Sequence, residues 1–279
     1  TKTDNYDRMP IKDIVEVVNK LKPDIIYYPS VGMRIWVAML ANLRLAPIQI
    51  AGLGHPATTY SNEIDYMMVG CQEGDVEKIY TEKLLQTPFY FEIESHPEQW
   101  KYLEGIRAEK HSKHDQLTHI AINSKVMKLS SRLIAICAKL NEEFPDLLRF
   151  HFFPGEIGIY DDGLSAKLKD LIPNSTIYAA ANYALFLKNI DGCDLALAAF
   201  PFGNTNSTVD AHLLNIPVIA HYGPEMGAQT DKLVLKALGY SGRHINESDD
   251  DYLEAAKSLI REIRAGEYCS DLPDDHQGI

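Results

Sequence analysis

The stretch with the clearest potential for chemistry is residues 199–210, which read AFPFGNTNSTVD. It follows the apolar run 195–198, which is typical of a buried parallel strand, and precedes residues 209–214, which begin a predicted helix. A polar turn between a strand and a helix exposes backbone N–H groups at the positive end of the helix dipole, where phosphates bind. The same residue types also form ordinary helix N-caps. The turn therefore predicts either a nucleotide phosphate site or a simple cap.

Other candidates follow the ends of the neighbouring predicted strands, which converge on one crevice in a doubly wound parallel sheet. Lys128 could neutralise a diphosphate as a point charge, or be a plain surface lysine. Asp210 could accept hydrogen bonds from sugar hydroxyls or cap its helix. The remaining polar candidates at this edge are Glu156, Tyr183, Asn204, Thr205, Asn206 and Ser207. No Asp-x-Asp pair lies at a strand end, so a metal-bridged diphosphate is not indicated.

A second loop, residues 52–59, reads GLGHPATT and follows a predicted strand over residues 47–53. Loops at that edge of a parallel sheet are where α/β proteins bind ligands. His55 stands between Gly54 and Pro56, a poor position for a packing residue. A functional histidine and a hydrogen-bonded surface histidine are both open at this point.

The elements that must position these residues alternate between strand and helix. In the first part we predict helices from residue 9 to Pro23, over 33–43 and over 76–85, with strands over 24–28, 47–53, 65–69 and 89–93. In the second part we predict strands over 118–123, 148–153, 176–180, 195–198, 217–221 and 243–246, separated by helices that include 164–171 and 232–238. Leu133, Ile136, Cys137 and Leu140 form one apolar helix stripe, and Ser248 caps the last helix. This rhythm predicts a doubly wound parallel α/β fold.

The charge-rich stretch 94–115 is a candidate linker, which predicts a domain over residues 1–112 and a second over 113–279. The first lacks a glycine-fingerprint strand at its start, which favours the C-terminal part of a longer protein. The net charge of −12 argues against non-specific binding to nucleic acid or anionic membranes. Four widely spaced cysteines, no apolar run of membrane-spanning length and no signal-like start predict a cytoplasmic protein without disulfides or structural zinc.

Four motifs carry a specific resemblance: YPSVGM at 28–33, LRLAPIQ at 43–49, GLGHPATT at 52–59 and PFGNTN at 201–206. In this order, and over most of the chain, the sequence resembles the bacterial cytoplasmic N-glycosyltransferases that modify adhesins. These belong to glycosyltransferase family 41, beside the eukaryotic O-GlcNAc transferases. The resemblance implies a GT-B architecture: the C-terminal part of a first, acceptor-side Rossmann-like domain and a complete second, UDP-sugar-binding one.

The resemblance also implies an activity. It is the inverting, metal-independent transfer of a hexose, expected to be glucose, from a UDP-sugar to asparagine in Asn-x-Ser/Thr sequons. The implied partners are the UDP-hexose, an adhesin-type acceptor protein and an N-terminal region of the same protein. No cofactor, nucleic acid or membrane insertion is implied.

Site residues follow by position. Lys128 matches the lysine that binds the donor diphosphate and offsets charge on the leaving group. His55 matches a first-domain histidine that reaches across the cleft toward donor and acceptor. Asn206 and Asp210 match residues at the nucleotide end, with Asp210 on the ribose. The other implied donor-site residues are Tyr183, Asn204, Thr205, Ser207 and Glu156, the last where the family has a glutamine.

Two alternatives stay open. One is another GT-B UDP-sugar enzyme, such as an O-linked protein glycosyltransferase. The other is a non-catalytic homologue that binds a partner transferase. Residues 179–183 lack the histidines typical of the family, which favours the non-catalytic reading. The presence of Lys128, Asn206 and Asp210 argues against it.

Overall fold

A computed structural model of the chain describes residues 9–52, 54–70, 76–87, 116–155, 161–240 and 242–269. The chain divides into two compact units, Thr1–Tyr90 and Phe91–Ile279. The predicted linker and the predicted strand over 89–93 lie outside the described residues. The domain limit expected at residue 112 therefore stays a prediction.

The first unit contains a parallel sheet with the strand order β1-β2-β3-β4. Its strands are β1 (Ile25–Tyr28), β2 (Ile48–Ala51), β3 (Tyr66–Gly70) and β4 (Lys83–Thr87). Its helices are α1 (Ile11–Leu21) and α2 (Ile35–Ala41). The first three strands and both helices confirm the predicted rhythm.

The predicted helix over residues 76–85 is wrong. Only Val76–Lys78 is helical, as a single 3₁₀ turn, and Lys83–Thr87 is the edge strand β4. Between them, the Glu82 carboxylate accepts a hydrogen bond from the Thr59 amide at 2.7 Å. Pairing with β3 and this anchoring are long-range interactions, and they override a local spacing that resembles that of a helix.

The second unit is a six-stranded, wholly parallel sheet with the order β10-β9-β8-β5-β6-β7. Its strands are β5 (Thr118–Ile122), β6 (Leu148–Phe152), β7 (Ser175–Ile177), β8 (Leu195–Leu197), β9 (Val218–His221) and β10 (Ile245–Asn246). The chain builds outward from β5 to β7, then returns to the other side of β5 for β8. The order thus reverses between β5 and β8, which is the topological switch point where such sheets bind ligands.

The helices of the second unit are α3 (Ser131–Glu143), α4 (Asp161–Leu171), α5 (Tyr183–Asp191), α6 (Asn206–Leu213), α7 (Met226–Ala237) and α8 (Asp249–Ala265). The predicted stripe of α3 is buried in full, and Ser248 caps α8 by accepting the Asp251 amide. Phe150 and Phe152 of β6 pack in the core with Tyr252 of α8. Within the described residues, no helix is both long and apolar enough to cross a lipid bilayer.

Two helix starts differ from prediction. Helix α6 begins at Asn206 rather than near residue 209, and α7 begins at Met226 rather than at Lys232. Both early turns carry polar side chains that are nevertheless buried, such as Thr208 and Gln229. Apolar periodicity cannot detect a helical turn whose buried face is polar, because that face is stabilised by hydrogen bonds to other elements.

Candidate functional site

Five of the predicted donor-site residues follow the two strands at the switch point of the second sheet. The segment after β5 carries Lys128, and the segment after β8 carries Asn204 through Ser207. Side chains join the two segments directly. The Ser124 hydroxyl donates to Asn204 Oδ1 at 2.8 Å, and Asn204 Nδ2 donates to Asn123 Oδ1 at 3.2 Å. The two strand ends therefore form one hydrogen-bonded edge, as their order in the sheet requires.

Asn204 was predicted to bind the donor, but its side chain faces the protein. It is 7% exposed, and both its polar atoms are used on Asn123 and Ser124. Asn123 in turn donates to the Ser207 carbonyl at 2.7 Å. The geometry makes Asn204 a residue that holds the turn, and a direct contact with a ligand stays a prediction.

Sequence reasoning missed Asp231, a residue of α7 with no exposed surface. Its carboxylate accepts the backbone amides of Asn204 and Thr205, both at 2.6 Å, and the hydroxyl of Thr208 at 2.8 Å. Burial raises the pKa of Asp231, and the three hydrogen bonds and the Lys128 charge oppose that shift. One signal in the sequence could have found it. Asp231 is a charged residue at helical spacing from the apolar Ala228 and Leu235, so it lies on the buried face of the helix.

Thr205 shows what this anchoring does to the backbone. It is the N-cap residue of α6 with φ 55° and ψ −86°, a conformation that a β-branched residue rarely adopts. Its side chain makes no capping hydrogen bond. The simple-cap interpretation therefore fails for this side chain. The first-turn amides of α6, at exposed Asn206 and half-buried Ser207, have no acceptor within the helix and lie at its positive end.

Lys128 lies beside this turn. Its Nζ donates to the Gly203 carbonyl at 2.5 Å and lies 4.7 Å from the centre of the Phe202 ring. Burial is the main cause that lowers the pKa of Lys128; Asp231 opposes the shift and Lys125 adds to it. Lys128 is thus a half-buried cation held against the turn rather than a freely solvated surface lysine.

The glycines of this region are required by close packing. A Cβ on Gly203 would lie 2.6 Å from Asp231 Oδ2, and one on Gly227 would lie 2.8 Å from the Phe202 ring. The Gly203 amide also donates to the Gly227 carbonyl at 2.8 Å. The turn can therefore rest on the start of α7 only because both positions lack a side chain.

Asp210 of α6 and Tyr183, the first residue of α5, form a hydrogen-bonded pair. The Tyr183 hydroxyl donates to Asp210 Oδ1 at 2.5 Å. Burial raises the pKa of Asp210 to about 6, although the bond from Tyr183 opposes the shift. Tyr183 is 42% exposed, so the pair lies where the interior opens to solvent. Glu156 lies outside the described residues. Within those residues, no three His, Cys, Asp or Glu side chains are grouped as metal ligands would be.

In the first unit, His55 lies in the GLGHPATT loop at the carboxyl edge of β2. The loop packs against the turn after β1: a Cβ on Gly54 would lie 2.7 Å from the Pro29 carbonyl oxygen. A Cβ on Gly32, whose φ is +108°, would lie 3.3 Å from His55 Nδ1. The half-buried imidazole of His55 therefore lies beside Gly32, where any side chain would crowd it.

The same loop is anchored by Glu82, which is 7% exposed. Its carboxylate accepts the Thr58 hydroxyl at 2.7 Å, the Thr59 amide at 2.7 Å and the Thr59 hydroxyl. Burial would raise the pKa of Glu82, but the bonds from the two threonines outweigh it and the pKa is lowered. The threonines of GLGHPATT thus bind an acid of the neighbouring segment.

Comparison with known proteins identifies relatives of this chain. No protein-family model matches the sequence. The UDP-glucose:protein N-β-glucosyltransferase of Actinobacillus pleuropneumoniae serotype 5b (strain L20) is 31% identical over 241 residues, which are 84% of this chain and 38% of that protein. The protein of the same name from serotype 7 (strain AP76) matches with the same identity and coverage. The chain thus spans about two-fifths of the length of these relatives.

Solved structures give the fold. A mutant of the O-GlcNAc transferase from Thermobaculum terrenum superposes with a TM-score of 0.75 at 17% identity, over 94% of this chain and 51% of that chain. HepE from Anabaena, in complex with UDP and glucose, superposes with a TM-score of 0.56 at 12% identity, over 91% of this chain and 71% of that chain. The resemblance and the fold class predicted from the four motifs are confirmed. The chain is a homologue of the UDP-glucose:protein N-β-glucosyltransferases and has the GT-B fold of glycosyltransferases.

Proposed function

We propose that this chain is the donor-binding part of an inverting glycosyltransferase that moves glucose from UDP-glucose to asparagine in Asn-x-Ser/Thr sequons of adhesin-type proteins. The observation that carries the proposal is the half-buried Lys128 ammonium held against the turn that opens α6, at the switch point of the sheet. The homology to enzymes named for this reaction supports the choice of donor and acceptor.

The diphosphate would lie against the first turn of α6. Backbone amides at a helix N-terminus bind phosphate oxygens, and here those of Asn206 and Ser207 lack a partner within the helix. Lys128 would move its hydrogen bond from the Gly203 carbonyl to a phosphate oxygen. Both groups stabilise negative charge that grows on the departing UDP, which is electrostatic catalysis by preorganised donors. The step as proposed uses no metal ion.

The nucleoside would lie toward Asp210 and Tyr183. An ionised Asp210 carboxylate can accept hydrogen bonds from both ribose hydroxyls, and Tyr183 already orients one of its oxygens. Asn204 and Thr205 would contribute indirectly, because their amides bind Asp231 and so hold the shape of the turn. Glu156 follows β6 in the sequence, and we retain it as a donor-site candidate.

The acceptor side is proposed from the first unit. The half-buried His55 ring lies beside Gly32, in the loop that follows β2, and loops at that edge of a parallel sheet are where such folds bind ligands. Since the relatives are much longer than this chain, acceptor recognition is proposed to need further sequence of the same protein. Among the described residues, Cys137, Cys193 and Cys269 form no disulfide. A cytoplasmic location is part of the proposal.

The donor site can be tested by calorimetric titration of UDP and UDP-glucose into this chain in the presence of EDTA. Binding should persist without divalent metal, and Lys128→Ala should weaken it by roughly ten-fold or more, because a charge-assisted hydrogen bond is lost. Lys139→Ala, which removes an exposed lysine of α3, is the matched control and should change nothing. A folded wild-type chain that binds neither ligand contradicts the proposal.

The acceptor can be tested with the full-length protein, UDP-glucose and three peptides that contain Asn-Ala-Thr, Gln-Ala-Thr or Ala-Ala-Thr. Mass spectrometry should find one hexose on the asparagine peptide alone. Hexose on the threonine of all three peptides would favour an O-linked enzyme. UDP binding without transfer to any peptide, in a protein that also binds an active transferase, would favour the non-catalytic alternative.

A further inference from the structure

We infer that Asp231 is the positioning residue of the donor phosphate site: its buried carboxylate turns the Asn204 and Thr205 amides inward, so that the following amides, at the start of α6, face the ligand. This inference rests on the proposed function and extends it to a residue that never touches the donor.

The geometry of the turn before α6 supports this role of Asp231. Two successive amides, of Asn204 and Thr205, converge on the one Asp231 carboxylate, each at 2.6 Å, as successive amides do around an anion. The next backbone angles, φ 55° and ψ −86° at Thr205, then set the direction of the Asn206 amide relative to the two amides that Asp231 binds. A residue in such a strained conformation persists only where its surroundings over-determine it.

Within the described turn, no side chain takes the place of Asp231 as the acceptor for these amides. The N-cap side chain of Thr205 does not cap α6, so the helix start is held from α7 instead. The Thr208 hydroxyl, one turn into α6, donates to the same carboxylate and ties the helix to it. The carboxylate also fills the space that a Cβ on Gly203 would need. Asp231 thus fixes both the direction and the position of the α6 start.

The negative charge of Asp231 also supports this role. A fully buried carboxylate is costly unless it is paired or hydrogen-bonded, and a hydrophobic residue of similar volume would usually be at least as stable. Asp231 has no exposed surface, yet its negative charge favours the charged form of Lys128, the proposed phosphate ligand. The buried Asp231 carboxylate behind the turn therefore stabilises the positive charge of Lys128 beside the turn.

The test compares UDP with uridine, which lacks phosphates, for wild type and Asp231→Asn. An asparagine keeps the size but offers one acceptor oxygen in place of two, so one of the two amides loses its partner. We expect the affinity for UDP to fall roughly ten-fold or more, while the affinity for uridine, measured by NMR titration, changes less than about two-fold. Glu142→Gln, at an exposed acid of α3, is the matched control for loss of charge.

Equal losses for UDP and uridine would mean a merely structural role and would overturn the inference, as would an unchanged UDP affinity. If wild type itself binds no UDP, the proposed function fails as well, so the two failures are distinguishable. Should Asp231→Asn not fold, Thr208→Val removes one donor and keeps the carboxylate. It should lower UDP affinity a few-fold and speed amide hydrogen exchange at Asn204 and Thr205; unchanged exchange together with unchanged affinity would overturn the inference.

Discussion

The GLGHPATT loop of the first unit and the turn before α6 in the second unit are each held by one acid from another segment. Glu82 accepts one amide and two threonine hydroxyls, and Asp231 accepts two amides and one threonine hydroxyl. The pKa of Glu82 is lowered and that of Asp231 is raised. Two differences separate them: Glu82 is also stabilised by a hydrogen bond from its own backbone, and it retains 7% of its surface whereas Asp231 retains none.

Hydrogen bonds to a carboxylate thus do not by themselves decide the direction in which its pKa is shifted. Desolvation favours the neutral acid and the donated hydrogen bonds favour the anion, so the balance between them decides the direction. At Glu82 the bonds prevail and the acid is a stabilising anchor. At Asp231 desolvation prevails, which is a penalty that the fold carries at the proposed phosphate site. Penalties of this kind are typical of functional sites.

The largest difference between the two loops is expected when each acid is replaced by alanine. Asp231→Ala leaves two buried amides without an acceptor and should lower the free energy of unfolding by on the order of 3 kcal/mol. Glu82→Ala leaves one amide and two hydroxyls that water can partly reach, and should lower it by about 1–2 kcal/mol. Urea unfolding followed by circular dichroism measures both. A larger loss for Glu82→Ala would contradict the role given to burial.

The glycines beneath the two loops offer the next test. Gly203→Ala would press on the fixed Asp231 carboxylate, and Gly54→Ala on the Pro29 carbonyl, so each should lower the free energy of unfolding by about 1–3 kcal/mol. Amide hydrogen exchange should accelerate only in the loop that carries the substitution. Exchange that accelerates at both loops in either variant would show that the loops are not anchored independently. Gly192→Ala, at a position with open space, serves as the control.

Lowering the pH should have opposite effects on the stability that Glu82 and Asp210 contribute. Glu82, with a pKa lowered from 4.5, contributes stability that is present above that value and is lost as the pH falls through its lowered pKa. Asp210, with a pKa raised from 3.8 to about 6, contributes stability that is present below 3.8 and is lost as the pH rises through about 6. Carbon-13 NMR of the side-chain carboxyls reads both titrations. Tyr183→Phe should raise the Asp210 pKa further; a fall would contradict the assigned hydrogen bond.

The smallest expected effects come from single hydroxyls. Thr208 is 1% exposed and Thr58 is half-buried, so Thr208→Val should lower the free energy of unfolding by about 1 kcal/mol and Thr58→Val by about half as much. The same urea experiment resolves them when measured side by side. Equal effects would indicate that the partners of Asp231 and Glu82 are equivalent despite the difference in burial.

The sequence determined a large part of this protein by local pattern. The apolar runs and the helix stripes predict the alternating elements of both units, and the buried stripe of α3 matches residue for residue. The polar residues after β5 and β8 were expected at one edge because the carboxyl ends of parallel strands converge there. The four motifs, of which GLGHPATT and PFGNTN are the most specific, are enough to predict the family.

Only the tertiary structure decided which groups satisfy the loops. Asp231 lies 27 positions after Asn204 in the chain, and Glu82 lies 23 positions after Thr59, so no local spacing links either acid to its amide. For the same reason Lys83–Thr87 became a strand despite its helix-like spacing. Local periodicity reports which side of an element avoids water, whereas buried hydrogen bonds join elements that meet only when the chain folds. That is why the elements were predictable from the sequence and the acid that holds the proposed phosphate site was not.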